Sequence, residues 1–149
     1  MITSKYLIQI QRIQMKYPTI MALLTSLSLS AGFSEVGAKQ LKTLQAEGVP
    51  VIDIRTPQEW RETGIIKGAH QMMFFDIRGA AHAEAWLKTL SDIVKDKKSP
   101  FILYCAHANR TKAVGNWLVD KLGYTHVYEL TGGIEYGWRD LGEQTVKAK

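Results

Sequence analysis

The chain has 149 residues, 46% hydrophobic and 22% charged, with a net charge of +5. That is enough for one domain with its own core, and it excludes a disordered chain. Residues 1–30 hold Lys5, Arg12 and Lys16 and no acid, which leaves the remainder at +2, without a basic cluster interleaved with aromatics; nucleic acid is not an expected partner.

The first thirty residues read as a targeting segment. Basic residues precede the apolar run TIMALLTSLSLSA (19–31), which ends in small residues, the order of charge, apolar stretch and cleavage site in a secretory signal peptide. We expect residues 1–32 to be a signal peptide, cut between residues 30 and 38, and residues 33–149 to form the exported domain, placed in the periplasm. Met15 opens a more usual signal, MKYPTIMALL, and is an alternative start. A buried N-terminal helix or an uncleaved anchor is the competing reading. The run is too short and serine-rich to span a bilayer, so no stable membrane span is expected after processing. No cysteine lies near the cut, which argues against a lipid anchor. A single cysteine cannot form an intramolecular disulfide.

From Phe33 onward strands alternate with helices. Ala38, Leu41 and Leu44 share one face of a helix that Gly48 ends. VPVIDI (49–54) is a short β-branched run and reads as a buried strand. In TPQE, Thr56 as N-cap, Pro57 at the first helical position and Glu59 form a capping box, and Gly64 stops the helix. Trp86, Leu87, Leu90, Ile93 and Val94 recur at helical spacing. FILY (101–104) is the most apolar strand and runs straight into Cys105. Ala113, Val114, Trp117, Leu118 and Leu122 form a further amphipathic helix closed by Gly123, and HVYEL (126–130) is a strand followed by the turn TGG. The alternation predicts one α/β domain, a parallel sheet covered on both faces.

Cys105 is the only cysteine. A lone cysteine is most often a small buried hydrophobe, but this one lies at the carboxyl end of a strand, where open α/β sheets place their ligand crevices. The loop after it feeds a helix N-terminus near Thr111, whose free N–H groups and dipole favour negative charge. Arg110 adds a fixed positive charge. All three favour a thiolate, the reactive form.

Three segments in order carry a family resemblance: VIDIRTPQEW with GIIKGAH, then CAHANRT, then GYTHVYELTGGIEYGW. From Phe33 to about Gly142 the chain resembles the rhodanese family of sulfurtransferases, in its small, exported, single-domain type. The resemblance implies a three-layer α/β domain with a mainly parallel, roughly five-stranded central sheet and helices on both faces. It implies sulfane-sulfur transfer from a small anionic donor such as thiosulfate to a thiophilic acceptor, cyanide or a thiol, through a persulfide on the catalytic Cys105. Ala106, His107, Ala108, Asn109, Arg110 and Thr111 then line the substrate, with His107 at the pocket mouth. Asn109 serves equally well as a local cap or turn former. Asp53 and Arg55 brace the loop, although Arg55 and Glu59, four residues apart, also suit a surface ion pair. No cofactor is implied, and His70, His82 and His126 have no metal-ligand spacing. A protein acceptor is open. The sequence departs from the family at Ile65 and Lys67, where a histidine and a proline are usual, and at Ala108, where glycine is usual.

Two other functions share parts of this pattern. Cysteine-dependent phosphatases use the same cysteine–loop–arginine logic but with five intervening residues; here there are four. A non-catalytic binding module would ordinarily lack the cysteine, and fold alone does not fix function.

Overall fold

In chain order the computed structural model, which describes residues 31–149, runs β1 (Gly32–Val36), α1 (Ala38–Ala46), β2 (Val51–Asp53), α2 (Pro57–Thr63), β3 (His70–Gln71), α3 (Ala83–Ile93), β4 (Phe101–Tyr104), α4 (Asn109–Asp120), β5 (His126–Leu130) and α5 (Gly133–Tyr136), with a 3-10 turn at Arg139–Leu141. The described strands form one five-stranded sheet in the order β1-β5-β4-β2-β3, and every adjacent pair is parallel. The expected α/β architecture with helices on both faces is therefore present. The expected signal segment lies outside the described residues, except for its last two.

The sheet alternates its side chains between two cores. Ile52, Ile54, Phe101, Leu103 and Val127 pack under Trp86 and Leu90 of α3 and Val114 and Leu118 of α4. Val51, Ile102, Tyr104, Tyr128 and Leu130 face Leu41 and Leu44 of α1, with Ile134 and Trp138. β4 is covered on both sides, which is why FILY reads as an unbroken apolar run and not as an alternating one.

The elements with a strong sequence signal form where expected. Thr56 caps α2: its hydroxyl accepts from the Glu59 N–H, the Glu59 carboxylate accepts from the Thr56 N–H, and Gly64 ends the helix with φ +74°. Two strands carry no signal. β1 is an edge strand, GFSEV, whose apolar residues do not alternate cleanly; pairing with β5 from Gly32↔His126 to Val36↔Leu130 makes it a strand. β3 is two residues long and exists only because it pairs with β2. α4 begins at Asn109, two residues before the expected position near Thr111, and the segment after the TGG turn forms the single helical turn α5.

A buried ion pair joins β2 to the end of α2. Arg55 is 1% exposed and Asp53 is fully buried. The guanidinium gives Nε and Nη2 to the Asp53 carboxylate at 3.0 and 2.7 Å, Nη1 to the Thr63 hydroxyl at 2.6 Å and Nη2 to the Gly64 carbonyl at 2.7 Å. Burial pulls the Arg55 pKa down, but its hydrogen bonds and ion pair with Asp53 outweigh this and hold it above its ordinary value. Replacing Arg55 with methionine preserves bulk but strands a buried carboxylate. Arg55→Met should cost about 3–5 kcal/mol, read as a lower urea midpoint at unchanged m-value; a midpoint equal to that of the parent protein would refute this role.

Candidate active site

Cys105 follows β4 directly and is 1% exposed. The backbone after it is held by its carbonyls. The Cys105 carbonyl accepts from the Ile134 N–H at 2.9 Å and the Ala106 carbonyl from the Glu135 N–H at 3.1 Å. Both donors belong to α5, so the short helix read only as a turn is what anchors the loop. The approach is close enough to demand glycine: a Cβ on Gly133 would lie 2.6 Å from the Cys105 carbonyl oxygen, and Gly133 has φ +64°.

The amides are arranged the opposite way. Among the described residues, the first ladder bond of α4 runs from the Lys112 N–H to the Ala108 carbonyl, and no protein acceptor takes the N–H groups of Ala106 through Thr111. The first-turn amides of a helix project from its N-terminus and carry the positive end of its dipole. Ala108 is the N-cap with φ +66°, the non-glycine residue that adopts positive φ among the described residues. The position that departs from the family glycine is therefore the one whose conformation favours glycine. His107 is exposed, its ring 4.8 Å from that of Tyr136, which is 61% exposed. Asn109 is exposed and is the first residue of α4 rather than its cap.

Arg110 does not point freely at an incoming anion. It forks onto Glu59 of α2, with Nη1 at 3.0 Å from Oε2 and Nη2 on Oε1. The Glu59 hydrogen bond raises the Arg110 pKa, burial opposes it, and the charge of Glu59 followed by interaction with Cys105 adds smaller upward contributions. Burial alone would raise the Glu59 pKa, but the Arg110 and Thr56 hydrogen bonds and the Arg110 charge bring it down to about 2. The Arg55–Glu59 surface pair expected from their spacing is not formed. The capping box turns the Glu59 carboxylate back over Thr56, where it meets Arg110, while Arg55 is committed to Asp53.

Thr111 closes the loop beneath the sulfur. Its hydroxyl oxygen is 3.7 Å from Cys105 Sγ, 2.9 Å from the Ala108 carbonyl and 2.6 Å from Glu129 Oε2. Glu129, on β5, is fully buried. Its other oxygen takes Lys112 Nζ at 2.8 Å, and Lys112 also reaches Glu35 at 2.6 Å. Hydrogen bonds to Glu129 and then Glu35 push the Lys112 pKa up.

The structure thus brings Cys105, Ala106, His107, Ala108, Arg110 and Thr111 around one loop, with Asn109 on its outer side. Asp53 and Arg55 make no hydrogen bond to that loop; they fix the end of α2, and α2 supplies Glu59. The brace is one step removed. Glu59 and Glu129 were not singled out as site residues. Glu59 was visible as a capping residue and as a surface partner for Arg55; for Glu129 the signal was an acid inside the apolar strand VYEL, a residue type rarely buried unless paired. No group of three or more potential metal ligands gathers among the described residues.

A family profile described as Rhodanese-like domain matches residues 37–140. The thiosulfate sulfurtransferase GlpE of Pseudomonas entomophila is 30% identical over 109 residues, covering 72% of this chain and 85% of that one. The protein of the same name from Tolumonas auensis is 31% identical over 117 residues, covering 76% and 95%. Among solved structures, the polysulfide-sulfur transferase homodimer of Wolinella succinogenes has a TM-score of 0.59 at 21% identity, covering 78% of this chain and 80% of that one. A thiosulfate sulfurtransferase from Pseudomonas aeruginosa has a TM-score of 0.60 at 19% identity, and this chain spans 21% of its length. These two structural likenesses show a shared fold.

Two measurements follow from the loop. Glu59 has its pKa lowered by folding, so its contribution to stability is complete above about pH 4.5 and is lost as pH falls toward about 2. Melting curves of the parent protein and Glu59→Gln should therefore differ near neutrality and converge toward pH 2; a constant offset across that window would contradict the ion pair. Ala108→Gly removes about 1–2 kcal/mol of left-handed strain at the N-cap and adds about 0.5–1 kcal/mol of glycine entropy to the unfolded chain, so it should stabilise the fold by about 0.5–1 kcal/mol. A lower urea midpoint would show that the methyl group contributes packing that outweighs the strain.

Proposed function

The chain belongs to the rhodanese-like domain family, and on that footing we propose that it is a thiosulfate sulfurtransferase working through a Cys105 persulfide. The observation that carries this reading is the set of untied N–H groups from Ala106 to Thr111 around a cysteine at a helix N-terminus. Donors already aimed at negative charge need no reorganisation when charge develops. The Cys105 thiolate attacks the outer sulfur of thiosulfate. The S–S bond breaks, sulfite departs with the electron pair, and the transferred sulfur remains on Cys105 as a persulfide. Cyanide or a thiol then attacks that outer sulfur, and Cys105 leaves as the thiolate, so one displacement becomes two easier ones.

Arg110 supplies positive charge beside the sulfur, but its fork is shared with Glu59, so a dianionic donor meets a guanidinium already held in place. His107, its ring tilted against that of Tyr136, forms the outer edge of the loop, where the acceptor arrives. A protein thiol remains an acceptor consistent with this open edge. The proposal places the enzyme in the periplasm after removal of the N-terminal segment. No helix among the described residues is long and apolar enough to cross a membrane. β1 spans Gly32–Val36, so a cut beyond Gly32 would remove part of a paired strand; this favours processing at the start of the window from residue 30 to 38.

Intact-mass measurement before and after thiosulfate tests the chemistry. The parent protein should gain one sulfur atom and lose it on addition of cyanide, with thiocyanate released. Cys105→Ser should gain none and transfer none while keeping the parent melting curve, because a hydroxyl is nearly isosteric but not ionised near neutral pH. Equal turnover by the serine variant, or faster hydrolysis of aryl phosphate than sulfur transfer by the parent protein, would overturn the assignment.

A further inference from the structure

Sulfur transfer as described uses the loop, Cys105 and Arg110, and leaves the buried carboxylate of Glu129 without a role. The carboxylate lies one hydrogen bond from the site. A threonine hydroxyl has a single proton to give, and the Thr111 hydroxyl has three acceptors in reach: Glu129 Oε2 at 2.6 Å, the Ala108 carbonyl at 2.9 Å and Cys105 Sγ at 3.7 Å. Glu129 is the nearest of the three, and its carboxylate is paired with the Lys112 ammonium. Hydrogen bonds to ionised acceptors are the stronger ones, so the proton goes to Glu129 and a lone pair of the hydroxyl faces the sulfur.

We propose that Glu129 is a positioning residue for Cys105: by holding the hydroxyl proton of Thr111 it withholds that donor from the sulfur, which meets a lone pair of the hydroxyl instead. The thiolate, when it forms, is then stabilised by the loop amides and Arg110 and competes with a carboxylate for the threonine proton. This deepens the sulfur-transfer reading and rests on Cys105 being its nucleophile. Lys112 sets the strength of the competition. It is shared between Glu129 and the exposed Glu35, and so links β1, β5 and the first turn of α4 to the reactivity of the sulfur.

The rate of Cys105 alkylation by iodoacetamide at neutral pH reads the effect directly, because only the thiolate reacts. Glu129→Gln loosens the hold on the threonine proton and should be alkylated roughly five- to tenfold faster, the size of one hydrogen bond gained by the thiolate. In a Thr111→Val background the same change should have no effect, and Thr111→Ser, which keeps the hydroxyl, should restore the acceleration. A Glu129→Gln rate within twofold of the parent rate would overturn the proposal. So would an acceleration that persists undiminished without the hydroxyl, since the carboxylate would then act as a bare charge. If circular dichroism shows Glu129→Gln unfolded, Lys112→Gln takes its place: a carboxylate without its ammonium holds the threonine proton harder and should slow alkylation more than twofold, only when Thr111 is present. An unchanged rate there overturns the proposal equally. Alkylation needs a thiol and not a sulfur donor, so a protein that takes no sulfur from thiosulfate refutes the enzymatic reading while leaving this test intact.

Discussion

The hydrogen bonds that Ile134 and Glu135 give to the carbonyls of Cys105 and Ala106 determine which way the loop faces. A peptide unit whose carbonyl is tied on one side presents its N–H on the other. Two such units in succession, followed by the first turn of a helix, produce a run of amides with no acceptor among the described residues. Such a run is costly unless water or an anion satisfies it. The loop therefore presents a row of donors suited to water or to an anion. Gly133 is part of the same constraint, because a side chain there would collide with the carbonyls that α5 must approach.

The charged side chains around this loop are balanced in pairs. Arg110 faces Glu59, Lys112 faces Glu129 and Glu35, and Arg55 faces Asp53. The first two sets join different elements, α4 to α2 and α4 to β5 and β1; Arg55 ties β2 to the end of α2 through its further bonds to Thr63 and the Gly64 carbonyl. A site built on an isolated arginine would bind anions more freely but would hold its geometry less well. Here the guanidinium is fixed by a carboxylate that burial alone would tend to protonate, and the hydrogen bonds of Arg110 and Thr56 keep it ionised. The same capping box that starts α2 thus orients the partner of Arg110. Local helix chemistry and site electrostatics depend on one side chain.

Strain is concentrated at one residue. Ala108 holds a left-handed conformation, and its carbonyl accepts from the Lys112 N–H. That bond ties the strained residue into the first turn of α4 and locks the turn that aims the amides. Below it, Thr111 and Glu129 form a polar column within an otherwise apolar layer of Leu103, Val114 and Val127. Buried polar groups of this kind persist only when each atom has a partner, and here Lys112 completes the set from the surface.

Much of the fold was legible because its signals are local. The capping box at Thr56–Glu59, the helical spacing of Trp86 and Leu90, and the apolar run Phe101–Tyr104 each follow from neighbouring residues in the chain, and so does the placing of Cys105 where a strand meets a helix N-terminus. The strands β1 and β3 had no such signal, since an edge strand and a two-residue strand are made by their partners and not by their own pattern. The order of the sheet, the anchoring of the loop by α5, and the choice of Glu59 over an isolated Arg110 were likewise decided in three dimensions. Glu59 and Arg110 are 51 positions apart and Thr111 and Glu129 are 18 apart. Spacing along the chain can propose that Arg55 meets Glu59, but only packing shows that burial commits Arg55 to Asp53 and turns Glu59 toward Arg110 of α4. The sequence by itself determined the α/β class and the place of the single cysteine between a strand and a helix N-terminus; tertiary structure decided which charges lie around that cysteine, because electrostatic partners are chosen by distance and burial and not by order in the chain.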